Sequence, residues 1–305
     1  MEWNFFIYSS IILLIFIFYK KRLHYKRLPT PPGPPGWPLF GHIFQLGTIP
    51  HRTIAVLKQK YGPVVWLKIG VVNTMVIQSA DVASEFFKNH DLSFADRNII
   101  DVMRSRNYTK YSMALAPYGV YWRVMRRLCT VELFVNKRIN ETVSVRRNCI
   151  DHMLQWIEKE ANSVEGRRNG VQVVRYIFLA TFNTLGHMIM SQDMVDPESK
   201  DASLFFTSMK GMMEWSGEQH WILPATFVKK RIEENKAGVR KRKDLLDVLL
   251  EFEGGKNEPA KLSESEITVF ILEIFFAGSE TTSASVEWAL TELLRNPETM
   301  IKVKN

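Results

Sequence analysis

The longest helical pattern in the chain, residues 263–296, carries its smallest side chains and a lone acid at its middle, in the stretch FFAGSETTSASVEW at 275–288. At about 100° per residue, Phe270, Ile274, Ala277, Gly278, Thr281, Ser285 and Trp288 fall on one face. That face is apolar at its ends and nearly bare at Ala277 and Gly278, which lets something bulky come close to the backbone. Thr281 is spaced to bond back to the carbonyl of Ala277, a contact that bends or loosens a helix. Glu280 lies about 60° around from Ala277, beside the gap. Gap, hydroxyl and acid together suit proton delivery next to a bound flat ligand. The same residues also suit ordinary packing, with small side chains at a helix crossing.

Other helical patterns run at 119–134, 137–161, 171–190, 200–215 and 227–252, with breaks at NSVEGRRNG and GGKNEP. Ahead of them, residues 51–60 fit a short helix. Residues 64–70 and 74–78 fit two strands joined by a tight turn, and SADVASEFFKNH fits a helix capped by its serine. Residues 98–116 have no clear periodicity and read as a long loop. A small sheet followed by many helices predicts a mainly α fold of the α+β class. A composition of 46% hydrophobic and 24% charged residues suits a globular body with a sizeable core. Lys and Arg number 40 against 32 Asp and Glu, a net +8 that points to an anionic partner: a membrane surface, an acidic protein or nucleic acid. Cys129 and Cys149 form no C-x-x-C pair, which argues against a zinc site or a disulfide framework.

PYGVYWRVMRRLC, residues 117–129, is the second dense stretch. Trp122 and Arg126 are four apart and share a helical face. An indole N–H beside a guanidinium makes a donor pair for a carboxylate or phosphate. A solvated basic face fits the same residues.

Residues 5–19, FFIYSSIILLIFIFY, form an uncharged run with Trp3 just ahead and Lys20, Lys21, Arg22, Lys26 and Arg27 behind. With Trp3 and Asn4 the run reaches the lower limit of a membrane span, about 17 residues. Glu2 precedes the run and no small-residue cleavage site appears, which favours an uncleaved anchor over a signal peptide. The positive-inside rule then leaves the body of the chain in the cytosol. Sequons at Asn107 and Asn140 meet no glycosylation machinery there. PTPPGPPGWPLFGH, residues 29–42, is neither helix nor strand by its Pro and Gly content, and makes a stiff, turning spacer. The expected organisation is an anchor at 1–22, a basic and Pro/Gly-rich spacer at 23–50 and a folded body at 51–305.

In this order the anchor, PPGPPGWPLFG, SFADR, PYGVYWRVMRR, FFAGSETT and EWALTELLRNPE resemble the cytochrome P-450 family, the haem-thiolate monooxygenases. Within that family they resemble the plant microsomal members that oxidise monoterpenoids, of the geraniol-hydroxylase kind. The resemblance covers nearly the whole chain. It implies the family fold, haem as cofactor, a small lipophilic substrate, and dioxygen. It implies electrons from NADPH through a reductase, no nucleic-acid partner, and a place on the cytosolic face of the endoplasmic reticulum membrane. The helix with Ala277, Gly278, Glu280 and Thr281 is similar to the one crossing the distal face of the haem. Thr281 would hold a water or dioxygen and Glu280 would relay protons. Trp122, Arg126 and, by the SFADR match, Arg97 would hold the haem propionates. Phe270, Ile274 and the loop at 98–116 would line the substrate side. The implied reaction puts one oxygen atom into an unactivated C–H bond, with the hard chemistry belonging to the cofactor.

Two family features have no counterpart. The axial cysteine of the family sits in a glycine-rich loop, FxxGxRxCxG, which is not found here. Cys129 in RRLCTVE and Cys149 in RRNCIDH stand in the wrong context, so no metal ligand is assigned. The family's Glu-x-x-Arg pair also lacks a match: Glu292–Arg295 closes the long helix and Glu165–Arg168 falls in a loop. The passage from EWSGEQHW to GVRKRKDLLDVLLEFEG is shorter than in relatives. The expectation is the N-terminal portion of a monooxygenase, poor at binding haem and inactive by itself. The alternative is a non-catalytic, membrane-tethered helical remnant.

Overall fold

The structure is a computed structural model that describes residues 10–16, 30–99, 108–196, 199, 222–239 and 242–304. The chain divides into two compact units, residues 1–94 and 95–305.

The first unit is built on an antiparallel pair, β1 (Val64–Ile69) and β2 (Val72–Ile77), in a register running from Val64↔Ile77 to Ile69↔Val72. Gly70 adopts φ 61°, which lets the chain reverse over two residues. β2 starts two residues before the side-chain pattern suggests, because the ladder is made by backbone groups and Val72 and Asn73 take part in it. Val65 and Leu67 point inward and are fully buried. α1 (Pro50–Tyr61) opens on a proline, which suits a first helical turn. α2 (Ala80–Asn89) is capped by Ser79, whose Oγ accepts the Val82 N–H at 3.3 Å.

The Pro-Gly stretch is largely irregular yet fastened to β1. The Trp66 N–H donates to the Pro32 carbonyl at 2.9 Å. The buried His42 ring accepts the Lys68 N–H at Nδ1 (2.8 Å), which leaves Nε2–H to donate to the Pro34 carbonyl (2.9 Å). Gly41 is required beside them. Its φ is 60°, and a Cβ there would stand 1.9 Å from the Lys68 carbonyl oxygen. Residues 10–16 are helical, and the apolar side chains from Ile11 to Phe16 are exposed.

The second unit is helical. α3 (Val120–Leu128) passes into a π-helical turn at Cys129–Leu133, so the helix expected over 119–134 changes its winding at Cys129. α4 (Val143–Asn162) is preceded by a separate short helix, Asn136–Glu141. Val164–Asn169 is helical where the sequence suggests a loop, because Ser163 caps it by accepting the Gly166 N–H at 2.9 Å. Glu165 and Arg168 therefore lie on a helix. α5 (Val173–Met190) matches its expected span. The stretch 227–252 is two helices, α6 (Ile222–Lys236) and α7 (Leu245–Leu250). The turn between them holds Gly238 at φ 74° and Lys243 at φ 58°, and Asp244 caps α7. α8 (Glu264–Arg295) opens with a capping box, Ser263 and Glu266 each bonding the other's backbone N–H. α9 (Pro297–Lys304) follows it, unannounced by any clear pattern. The helix expected at 200–215 lies outside the described residues.

α5 and α8 pack along each other at the centre of the core, and α6 packs on α8 as well. Phe178, Phe182, Ile189, Phe270, Ile271 and Phe275 are at most 2% exposed, with the Phe182 and Phe275 rings 4.6 Å apart. α5 and α8 are long and apolar enough to cross a membrane. Half of each apolar window is buried inside the unit, however, which makes them core helices. The whole is mainly α with one small sheet, as the element order predicts.

Candidate active site

α8 presents Ala277, Thr281, Ser285 and Trp288 as an exposed stripe. The Thr281 hydroxyl donates to the Ala277 carbonyl at 2.6 Å, as the spacing predicts. Thr282 donates to the Gly278 carbonyl (2.8 Å) and Ser285 to the Thr281 carbonyl (2.7 Å). These local bonds leave each hydroxyl oxygen able to accept from a further donor. Glu280 is half-buried, and its carboxylate has no hydrogen-bond or ion-pair partner among the described residues.

Two of the residues expected at the site on this helix serve its packing. A Cβ on Gly278 would meet Leu185 Cδ1 at 2.8 Å, so this glycine admits α5 at the helix crossing. Ala277 alone makes the gap on the exposed side. Phe270 is fully buried in the main apolar cluster, so its ring is held by packing. Ile274, half-buried, packs against the same cluster.

Trp122 and Arg126 stand on α3 as expected, but they are not a free pair. The Trp122 Nε1–H donates to the Met113 carbonyl at 2.9 Å. Arg126 is exposed, and its guanidinium has no hydrogen-bond partner among the described residues. Arg97 donates its Nε–H to the Ala114 carbonyl at 3.0 Å and its Nη1–H to the Ala95 carbonyl. Trp122 and Arg97 thus meet on consecutive carbonyls, which the sequence does not indicate.

The residue that organises this region is Glu273, one turn before Ala277. It accepts the Tyr108 hydroxyl (2.8 Å), the Ser112 hydroxyl and the Met113 N–H (2.6 Å). Ser112 is fully buried. Burial, reinforced by the Glu273 charge, pushes the Tyr108 phenol well above its ordinary range. Burial also raises Tyr121, with Glu266 and Glu273 adding to it, and Tyr121 donates to the Tyr111 carbonyl at 2.8 Å. One signal for this cluster was available. Glu273 is the single acid in the apolar run ITVFILEIFFA, and an acid so placed needs donors.

Neither cysteine offers a thiolate. Cys129 is buried with its Sγ 3.7 Å from Met113 Sδ, and burial pushes its thiol up to about 11. Burial raises Cys149 as well.

The cytochrome P-450 family model matches residues 31–225 and 217–305. Cytochrome P-450 76A2 of Solanum melongena is 52% identical, over 99% of this chain and 66% of its own length. Iridoid oxidase of Catharanthus roseus is 42% identical, over 97% of this chain and 63% of its own length. A solved zebrafish cytochrome P-450 with abiraterone superposes with a TM-score of 0.65 at 19% identity, covering 83% of this chain and 61% of that one. The chain therefore spans just under two thirds of the length of the curated relatives it matches. By the match of the family model to the whole of residues 31–305, the chain belongs to the cytochrome P-450 family.

Proposed function

We propose that this chain forms the distal and haem-edge part of a haem-dependent monooxygenase of the plant microsomal kind, acting on a small lipophilic terpenoid. One oxygen atom of O2 enters a C–H bond and the other leaves as water, with two electrons from NADPH delivered by a reductase. The observation that carries the reading is the exposed stripe on α8, where a methyl at Ala277 is followed by the Thr281 hydroxyl, with the unpartnered Glu280 carboxylate at its edge. The relatives support the substrate class, since one of them is named iridoid oxidase.

The donor set suits haem in its distal and edge contacts. Its two propionates call for N–H donors, and Arg126 is an exposed guanidinium with none of its donors taken by the described residues. Trp122 and Arg97 supply further N–H groups once they leave the carbonyls of Met113 and Ala114. Ala277 leaves room for a flat ring against α8. Cys129 and Cys149 are both buried in helical segments, away from any glycine-rich loop, and are not assigned to the iron. When bound, haem supplies the activation of oxygen. The chain's own part is orientation and proton supply. Thr281 Oγ1 accepts a hydrogen bond from a water while donating to Ala277, and so fixes that water on the exposed stripe. Glu280, beside it, passes a proton to the water and is recharged from solvent.

The apolar exposed helix at 10–16 supports attachment to the endoplasmic reticulum membrane, with the helical unit in the cytosol. Deleting residues 1–22 moves the protein from the membrane pellet to the supernatant in a fractionated cell. A deleted chain that still pellets with membranes, without aggregating, contradicts the anchor.

Microsomes carrying the haem-loaded protein and a reductase, given NADPH, oxygen-18 gas and a monoterpene alcohol, test the reaction. The expected product carries one oxygen-18 atom and forms only with NADPH. A haem-loaded protein that forms no product with NADPH overturns the reading in favour of a non-catalytic tethered protein.

A further inference from the structure

We propose that Glu273 is a positioning residue for the anion-binding donors Trp122 and Arg97, acting through the backbone of residues 112–114. The proposal rests on the haem-edge reading of those donors. The two carboxylate oxygens of Glu273 take three donors, from Tyr108, Ser112 and Met113, and so lash the segment Tyr108–Met113 to α8. The peptide units at its end face both ways. The Met113 N–H donates to Glu273, and the Met113 carbonyl accepts from Trp122. The next carbonyl, of Ala114, accepts from Arg97. One carboxylate on α8 therefore decides where the resting acceptors of both donors stand. A carbonyl oxygen is a fair stand-in for a carboxylate oxygen, so these bonds hold Trp122 and Arg97 in poses from which an incoming propionate can take them over. Ser112 adds stiffness: its oxygen also accepts the Leu115 N–H at 2.9 Å, and its carbonyl accepts the Ala116 N–H at 2.9 Å.

Ala277 lies four residues beyond Glu273, about 6 Å along the axis. The same helix thus carries the proton-delivery stripe and the anchor of the edge donors. A ligand seated against Ala277 meets donors whose place is referenced to that helix.

The test uses the full chain and two probes, hemin and its dimethyl ester, which lacks the two carboxylates. Glu273→Gln keeps the side-chain length but gives up the charge and one acceptor. The expected result is hydrogen exchange in residues 108–116 faster by about tenfold or more, from the loss of charge-assisted bonds. Hemin binds the variant about tenfold more weakly, while the dimethyl ester binds it as it binds wild type. Tyr108→Phe removes one donor and moves both readouts in the same direction by less. Exchange unchanged in Glu273→Gln overturns the proposal. Equal weakening for hemin and the ester overturns it too, since a general clamp would act on both. A wild-type chain that binds hemin no better than the ester defeats the haem-edge reading first, and the proposal with it.

Discussion

Replacing Arg231 with methionine lowers the stability of the helical unit by about 3–5 kcal/mol and shifts its unfolding midpoint far below that of the wild type. Arg231 is 4% exposed and holds two buried carboxylates. Its Nη1 donates to Asp244 (2.9 Å) and Asp247 (2.8 Å), and its Nη2 to Asp244 (3.1 Å) and the Met190 carbonyl (3.0 Å). These bonds tie α6 to the start of α7 and to the C-terminal end of α5, the helix on which α8 rests. Taking the cation away leaves Asp244 and Asp247 buried and uncompensated, which costs about 3–5 kcal/mol. A domain holds only about 5–15 kcal/mol in reserve. Chemical denaturation followed by circular dichroism reads the loss directly, and a midpoint equal to wild type refutes the assignment. The same network makes the unit acid-sensitive. Burial pushes the Asp247 carboxyl up, but the Arg231 guanidinium and the Lys243 N–H outweigh it and hold the group below its ordinary range. A lowered folded value means that the contribution is full above the unfolded pKa of about 4 and is lost as pH falls through the lower folded one. Stability therefore drops on acidification below about pH 4.

The second large effect falls on the chemistry. In the haem-loaded enzyme proposed above, Thr281→Ala is expected to consume NADPH without a matching yield of product, because the hydroxyl proposed to order the proton-delivering water is gone. Glu280→Gln slows turnover by about a hundredfold, the scale of a lost proton relay, and leaves substrate binding unchanged. Both side chains sit at the edge of the exposed stripe and outside the packed core, so neither change disturbs α5 against α8. Thr281→Ser keeps the hydroxyl and restores coupling. The measurement is the ratio of product formed to NADPH consumed. If that ratio is the same in Thr281→Ala as in wild type, the Thr281–Ala277 bond is only a packing detail of α8.

Local signals in the chain carried most of the elements. Ser79 and the 3.6-residue repeat of α5 and α8 each act over one or two turns, and each is visible in order along the sequence. The misses have specific causes. The run at 227–252 was interrupted because Arg231 pulls Asp244 and Asp247 into one buried cluster, which needs a sharp turn between α6 and α7. The π-helical turn after Leu128 and the cap at Ser163 change the winding without changing the apolar pattern.

The family, the long helix with its hydroxyls and acid, and the Thr281 back-bond were determined by the sequence alone, because periodicity, capping and motif order are properties of neighbouring residues. Tertiary structure decided which side of that helix is covered. Ala277 and Gly278 are equally small and adjacent, and only the placement of Leu185 on α5 assigns Gly278 to the crossing and Ala277 to the open stripe. It also decided the role of Glu273. The acid stands out in an apolar run, but its three donors lie 160 to 165 residues earlier in the chain. No local rule reaches that far: a buried carboxylate must find hydrogen-bond donors, and which ones it finds depends on how the whole chain packs.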